Sequence, residues 1–506
     1  MQTVLLVFDI GTSGLKASLV DERLNILRNV TTTYPTHHRP NGGVEQDAAD
    51  WWMSAVRAML MLRELVPEYL KRVDAIGISG HMLGLLPMDS DGQALRPAII
   101  RRDTRAKDVA KALEDTYGAD YFYRISGNVL TPNLTLSKAV WLKRTEPEVY
   151  ERTVKFLQCK DYLVYRLTGN MDSGDFSDAS RAGLMNLSTR DYDYDMLDDL
   201  GLHAEKFPTL RPSCAIAGRL TEEAAYHLGL RAGIPVSVGG GNGMCESVGA
   251  GVAQDGAYYM SLDTAAWIAG QSKEPFFDPQ RRLGHICTLD GRSFSVFGAM
   301  RCAGKCVNWA QKLFEVGSPR AFDAAASNIP AGADGLIFLP YLEGERSPVY
   351  DEQAQGVFFG MTQQHRREHF LRAVLEGVGC GQQPSRVAAG LRRPLPQAVH
   401  GAPVGRAGQC EDVLCVGQRQ RIVEGVAAQV FECAFERRPV DGVAVFRGFG
   451  HEMDRVGRAP FRRRSSAAPV GECAVGELIA AQPRQDALDI AVDVLQHLFV
   501  ALGYGV

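Results

Sequence analysis

The stretch Val7-Phe-Asp-Ile-Gly-Thr-Ser-Gly-Leu-Lys16 passes from apolar to acidic to small and back within ten residues. Val4 to Phe8 is an apolar run of strand type, and Asp9 closes it. Gly11 to Gly14 is a turn of small residues, and Leu15 to Val20 resumes a strand-like run. The pattern predicts a short hairpin with an acid at its mouth. Two readings of it stand side by side. In the first, Gly11 lets backbone amides approach a phosphate, and Thr12 and Ser13 add hydroxyl donors. Asp9 then holds Mg²⁺, directly or through water, and Lys16 offsets phosphate charge. In the second, this is an ordinary β-hairpin with a turn aspartate.

Working outward, 506 residues are too many for one compact core, so two large domains are expected. With 45% hydrophobic and 23% charged residues the composition is that of a globular protein. A net charge of −4 gives no long-range pull toward nucleic acid or an anionic membrane. Met1 to Phe8 lacks the basic segment of a signal peptide, and no apolar run reaches membrane-spanning length. The eleven cysteines are odd in number and form no C-x-x-C pair, which points to reduced thiols in the cytoplasm. Cys302 and Cys306, one helical turn apart with no further ligand nearby, read as packing residues.

Along the chain, Gly42 to Asp47 reads as a polar loop, after which Asp47 or Asp50 caps a helix carrying Trp51, Trp52, Val56 and Met59 on one side. Val73 to Ser79 reads as a buried strand, and Gly80-His-Met-Leu-Gly84 is a loop at its carboxyl end, where open α/β sheets place ligands. The arginines flanking Asp103 suit a sugar or polyol, or else form a solvated charge cluster. Lys138 to Tyr150 and Leu157 to Leu167 read as helices, and Asp175 to Ala182 as a polar loop. Pro235 to Val238 is a strand running into Gly239-Gly-Gly-Asn-Gly243 and a helix. The run Ala257 to Ala269 repeats the strand, small turn and strand of the opening hairpin about 250 residues later, by duplication or by chance. Gly335 to Pro348 reads as a buried strand and a charged turn, and Phe370 to Val378 as a helix. After Lys312 there is no lysine, and from Gln382 to about Val475 neither periodicity is sustained, while Ala487 to Leu502 reads as a helix.

From Val4 to about Val378 the chain resembles the FGGY carbohydrate kinases of the actin and hexokinase superfamily. Asp9 to Lys16 is similar to the family's first phosphate loop, and Gly43-Val-Glu-Gln-Asp47 with Trp51-Trp52 to its early signature. Lys160-Asp-Tyr-Leu163, Arg166-Leu-Thr-Gly169, Asp175 to Ser180, Gly335 to Pro348 and Arg372 to Gly377 resemble later signatures. The fold this implies is α/β, with two ribonuclease-H-like domains around a central cleft, residues 1–245 and 246–506. The implied reaction is ATP- and Mg²⁺-dependent phosphorylation of a primary hydroxyl of a pentulose such as D-xylulose. Sugar and ATP are the implied partners, and a homodimer is compatible with the resemblance.

By resemblance, Asp9 holds the metal, while Gly11, Thr12, Ser13, Lys16 and Thr264 bind phosphate. His81, Met82 and Asp103 line the sugar pocket, with His81 where Gln is usual and Leu83 where His is usual. Three departures bear on the chemistry. Asn242 stands where the family has its catalytic aspartate. Leu262-Asp-Thr264 replaces Leu-Gly-Thr in the second phosphate loop. The glycine-rich adenosine loop is missing, Gly401 to Gly405 being a poor match. The abrupt loss of resemblance implies a reading-frame shift near Gly379, and a sugar-binding protein without kinase activity is the alternative function.

Overall fold

The computed structural model describes residues 4–21, 25–252, 255–262, 264–347 and 349–381, and the backbone of 443–447. The chain divides into two compact units, Met1–Glu246 with Lys273–Ser295, and Ser247–Ser272 with Val296–Val506. In the first unit β1 (Val4–Ile10), β2 (Gly14–Asp21) and β3 (Ile26–Thr33) form an antiparallel meander. Every second side chain of β1, from Val4 to Ile10, is buried, which is the period of two that a strand imposes. β4 (Val73–Gly80) lies parallel to β1 on its other side. With β5 (Ile216–Arg219), β6 (Pro235–Ser237) and β7 (Gly240–Gly241) they complete a seven-stranded sheet, ordered β5-β6-β4-β1-β2-β3 with β7 also on β4.

Helix α1 (Ala48–Leu65) packs on β2 and β3, and its Trp51, Met59 and Leu62 share one buried apolar core with Leu6, Phe8 and Leu19. Asp47 starts the helix, its carboxylate accepting from Ala49 N at 2.9 Å. α2 (Cys159–Thr168) begins at a reciprocal cap between Gln158 and Asp161 and ends at Gly169 in the left-handed region. α3 (Phe176–Arg181) follows, and α4 (Asn242–Gly249) starts where β7 ends.

In the second unit β8 (Tyr258–Leu262) and β9 (Ala266–Ser272) pair antiparallel, β10 (Phe294–Met300) lies beside β9, and a strand at Val443–Arg447 lies parallel to β8. That order repeats β4-β1-β2-β3 of the first unit, so the echo in the sequence is an echo of topology as well. α5 (Gly304–Leu313) and α6 (Arg367–Gly381) complete the described helical part with the shorter Pro319–Ser327. Among the described residues no helix is long and apolar enough to cross a membrane.

Several local expectations are corrected. The helix expected over 138–150 is two, Thr135–Thr145 and Pro147–Arg152, because Pro147 pushes Glu146 out of helical backbone. Leu157 ends a strand, Lys155–Leu157, rather than starting a helix. The loop expected at Asp175 is a cap, accepting from Ser177 N and Asp178 N to start α3. The strand Ile337–Leu339 buries Phe338 alone, leaving Ile337 and Leu339 exposed. Gly401 to Gly405, the Ala487 to Leu502 helix and the consequences of a frame shift lie outside the described residues.

The expected polar loop at Gly42 to Asp47 contains a buried strand, Val44–Gln46. It is buried because its charge is paired. Glu45 meets Arg39 at 3.0 Å, Arg105 at 2.8 Å and also Arg96. Burial alone would raise the Glu45 pKa, but Arg39, Arg96 and Arg105 outweigh it and hold it below 4.5. Trp141 stacks on Arg105 at 4.7 Å and on Arg96 at 5.8 Å. A depressed folded-state pKa stabilises the protein fully above the unfolded value and less as pH falls through the folded one. Glu45→Gln is therefore expected to cost about 2 kcal/mol at neutral pH by removing the charge that three guanidinium groups share, although Arg105 keeps Asp103 and Arg96 keeps Glu146. Urea denaturation should also show that the variant loses less of its stability than the wild type between neutral pH and pH below 4.5.

Candidate active site

Asp9 sits near the carboxyl end of β1, opposite Lys16 on β2 and Ser79 on β4. Gly240 on β7 pairs with Ser79, and Gly241 with Gly80. At the usual strand spacing, Asp9 and Gly240 stand two rungs apart, roughly 10 Å. Asn242, the first residue of α4, is thus delivered to the same sheet edge as Asp9 by hydrogen-bonded backbone alone.

Burial raises the Asp9 pKa, and only the Ser79 hydroxyl at 3.1 Å and the charge of Lys16 oppose it. A carboxylate whose charge is under-compensated in this way suits a cation. Among the described residues no group of three or more metal-binding side chains stands ready. A metal here would bring its other ligands with it, as Mg²⁺ on a polyphosphate does.

The loop Gly11 to Gly14 is held by its carbonyls. Tyr34 Oη donates to Gly11 O and, at 3.3 Å, to Gly14 O. Gln46 Nε2 donates to Thr12 O at 2.8 Å, and Tyr34 N to Ser13 O at 3.5 Å. Gln46 is in turn fixed by Trp51 Nε1 at 3.0 Å. With the carbonyls drawn inward, the exposed Thr12 and Ser13 meet no acceptor for their amides among the described residues. A concavity of free amides is the geometry that receives a phosphate. Sequence reasoning did not single out Tyr34, and nothing in its local pattern marks it.

The loop Gly80–Gly84 carries His81 and Met82. His81 is fully buried, edge-on to Trp51 at 5.7 Å, and burial lowers its pKa to about 4. Its two ring nitrogens have no hydrogen-bond partner among the described residues. Met82 lies against Gly241, where a Cβ would come within 2.5 Å of Met82 Cε. Buried Lys138 donates to Leu83 O at 2.6 Å and Asn133 O at 2.8 Å, and burial brings its pKa down to about 7. The Asp103 carboxylate is occupied: it accepts from Val44 N at 2.8 Å and from Arg105 Nη2 at 2.6 Å. In the second unit, Thr264 sits in the β8–β9 turn, and its carbonyl accepts from Ala303 N at 3.0 Å and Lys305 N at 3.3 Å. Asp263 lies outside the described residues.

Residues 4–249 match the N-terminal domain, and residues 258–383 the C-terminal domain, of the FGGY family of carbohydrate kinases. Xylulose kinase of Klebsiella pneumoniae is 35% identical over 372 residues, which are 73% of this chain and 76% of that protein. Xylulose kinase of Bacillus subtilis (strain 168) is 32% identical over 371 residues, 73% of this chain and 74% of that one. Among solved structures, a xyloylose kinase from Brucella ovis is similar at a TM-score of 0.72 and 30% identity, over 76% of this chain and 79% of that one. These matches define an ATP-dependent phosphotransferase with an alcohol group as acceptor, on a mixed α/β two-domain fold. The chain belongs to the FGGY family of carbohydrate kinases.

The turn at the first loop needs glycine at one position more than at the other. A Cβ on Gly14 would stand 2.3 Å from Thr32 O, a backbone atom of the neighbouring strand, whereas one on Gly11 would stand 3.2 Å from Gly14 O. Gly14→Ala is therefore expected to destabilise the protein by about 1–3 kcal/mol. Gly11→Ala should cost about 1 kcal/mol or less, a difference that parallel urea titrations resolve.

Proposed function

We propose that this chain transfers the γ-phosphoryl group of ATP to a primary hydroxyl of a pentulose, with D-xylulose the first candidate. Two relatives that carry the name xylulose kinase, at 35% and 32% identity, support the substrate class. The single observation that carries the reading is the row Asp9, Ser79, Gly240, which leads the phosphate hairpin and the start of α4 to one sheet edge. The expected division at residue 245 makes the N-terminal part the sugar and first-phosphate domain and the C-terminal part the nucleotide domain, except that Lys273–Ser295 belongs to the first compact unit. Unpaired thiols at Cys159, Cys214, Cys245, Cys287, Cys302 and Cys306 fit a cytoplasmic setting.

The roles follow from the chemistry of each group. Thr12 and Ser13 present amides and hydroxyls to phosphate, Gly11 gives the backbone room, and Lys16 offsets charge. Thr264, in the β8–β9 turn, is the phosphate-binding candidate of its own unit. Mg²⁺ neutralises phosphate charge, and Asp9 is the residue that would hold it. His81 and Met82 face the sugar, the neutral imidazole of His81 offering one donor and one acceptor to hydroxyls. Asp103 acts from behind, fixing Arg105 and Val44 rather than touching sugar with a free carboxylate.

Asn242 decides how fast this can be. A carboxamide takes no proton at neutral pH, and a positioned general base contributes about 10²–10⁴-fold. Asn242 orients the acceptor hydroxyl, leaving catalysis to positioning and charge. The same substitution supports a second reading, a protein that binds sugar without phosphoryl transfer. ADP release with D-xylulose and other pentuloses, run beside sugar calorimetry, separates the two. Turnover above background is expected for the enzyme, and binding without ADP release sinks it. Asn242→Asp should raise kcat by about 10²–10⁴-fold at similar sugar KM.

The family match ends at residue 383. Translating the coding DNA in all three frames past Glu376 is expected to show a glycine-rich adenosine loop followed by a helix in another frame. Its absence from every frame would remove the frame-shift explanation.

A further inference from the structure

Behind the Gly240–Gly241 strand lies a group of charges that no step above uses. Lys160 is completely buried, with its Nζ at 2.5 Å from Asp161, 3.0 Å from Asp175 and 3.4 Å from Asp178. All three carboxylates are buried as well. Desolvating four charged groups is costly, and such clusters stabilise a fold less than apolar packing of the same volume. A cluster of this kind therefore invites a role beyond stability.

Its hydrogen bonds lead to the site. Asp175 Oδ2 accepts from Ser177 N at 2.9 Å, from Ser213 Oγ at 3.1 Å and from the Ser177 hydroxyl. Ser177 Oγ then accepts from Gly241 N at 2.9 Å. A hydroxyl has one proton. Because Asp175 takes it, the lone pairs of Ser177 are turned to Gly241. Met82 also lies against Gly241 and leaves no room for a Cβ. Gly241 is thus clamped between Ser177 and Met82, immediately before Asn242. At its other end the network reaches the sugar loop: Asp161 Oδ2 accepts from Gln158 N at 2.9 Å, and Gln158 Oε1 accepts from Gly84 N at 2.6 Å.

We propose that Ser177, oriented by Asp175 and Lys160, is a positioning residue for the reaction: it fixes the Gly241 amide and so sets where the side chain at 242 meets the acceptor hydroxyl. This rests on the reading of position 242 as the place that faces the hydroxyl. Ser177 touches no substrate. It acts through backbone, and the buried lysine–aspartate cluster serves to hold one hydroxyl in one rotamer.

The full chain with Ser177→Ala, Ser177→Thr and Asp175→Asn tests the clamp by amide exchange of the peptide containing Gly241 and by steady-state kinetics with D-xylulose. Kinetics are taken in the wild-type and in the Asn242→Asp background. For Ser177→Ala the expected results are Gly241 exchange faster by about tenfold, the loss of one buried hydrogen bond, and kcat lower by about tenfold with sugar KM within twofold. Asp175→Asn should move both in the same direction, and Ser177→Thr, which keeps the hydroxyl, should restore them. Unchanged Gly241 exchange in Ser177→Ala overturns the clamp whatever the turnover. So does a fall in kcat that tracks the thermal midpoint across all three variants. Faster Gly241 exchange in a protein silent with every pentulose, in both backgrounds, overturns the kinase reading alone.

Discussion

The parallel pairing of β1 with β4 is the contact from which the rest of the first unit follows. It sets Asp9 beside Ser79, and the pairing of β4 with β7 then sets Gly240 beside Ser79. Three chain segments far apart in sequence are brought to one sheet edge by backbone hydrogen bonds, whose register is strict. A slip of one residue would turn Asp9 to the other face and bury it among Leu6, Phe8 and Leu19. The alternation of buried side chains along β1 makes that slip costly, so the apolar residues of the strand guard the position of its one acid.

Around this row the protein uses buried polar groups as fixtures. Tyr34 and Gln46 hold the carbonyls of the Gly11–Gly14 loop, and Gly11 N closes the turn on Gly14 O at 2.8 Å, which leaves the amides of Thr12 and Ser13 without an acceptor among the described residues. Asp103 and Glu45 hold Arg105, and Asp175 with Ser177 holds Gly241. In each case a side chain that reads as a ligand candidate, or as nothing, in the sequence holds another group of the protein in place. The motif Gly43-Val-Glu-Gln-Asp47 shows this well: Glu45 and Gln46 are buried supports, one for arginines and one for the Gly11–Gly14 loop. The family match itself ends at residue 383.

Much of the architecture was legible. The hairpin at Asp9, the helix capped by Asp47, the strand before Gly80, the glycine run before Asn242 and the second hairpin at Thr264 all announce themselves through short-range patterns. Strand alternation, glycine turns and acidic caps are local, so their signals survive in a single sequence. The failures were local too, but of another kind. Asp175 looked like loop because α3 is too short and too polar to show an apolar period, and Val44–Gln46 looked like loop because its burial depends on three arginines from other segments.

By itself the sequence determined the hairpin at Asp9, the helix capped by Asp47 and the glycine run before Asn242, because each depends on residue type and near neighbours. Tertiary structure alone decided that Asp103 is already engaged, that His81 is buried with neither ring nitrogen bonded among the described residues, and that Ser177 meets Gly241 across 64 positions of chain. Those facts depend on which distant groups burial forces together, and no local pattern encodes a partner that far away. Val7 to Lys16 is the meeting point of the two. Its residues specify a hairpin, and the fold around them fixes the carbonyls of its turn through Tyr34 and Gln46.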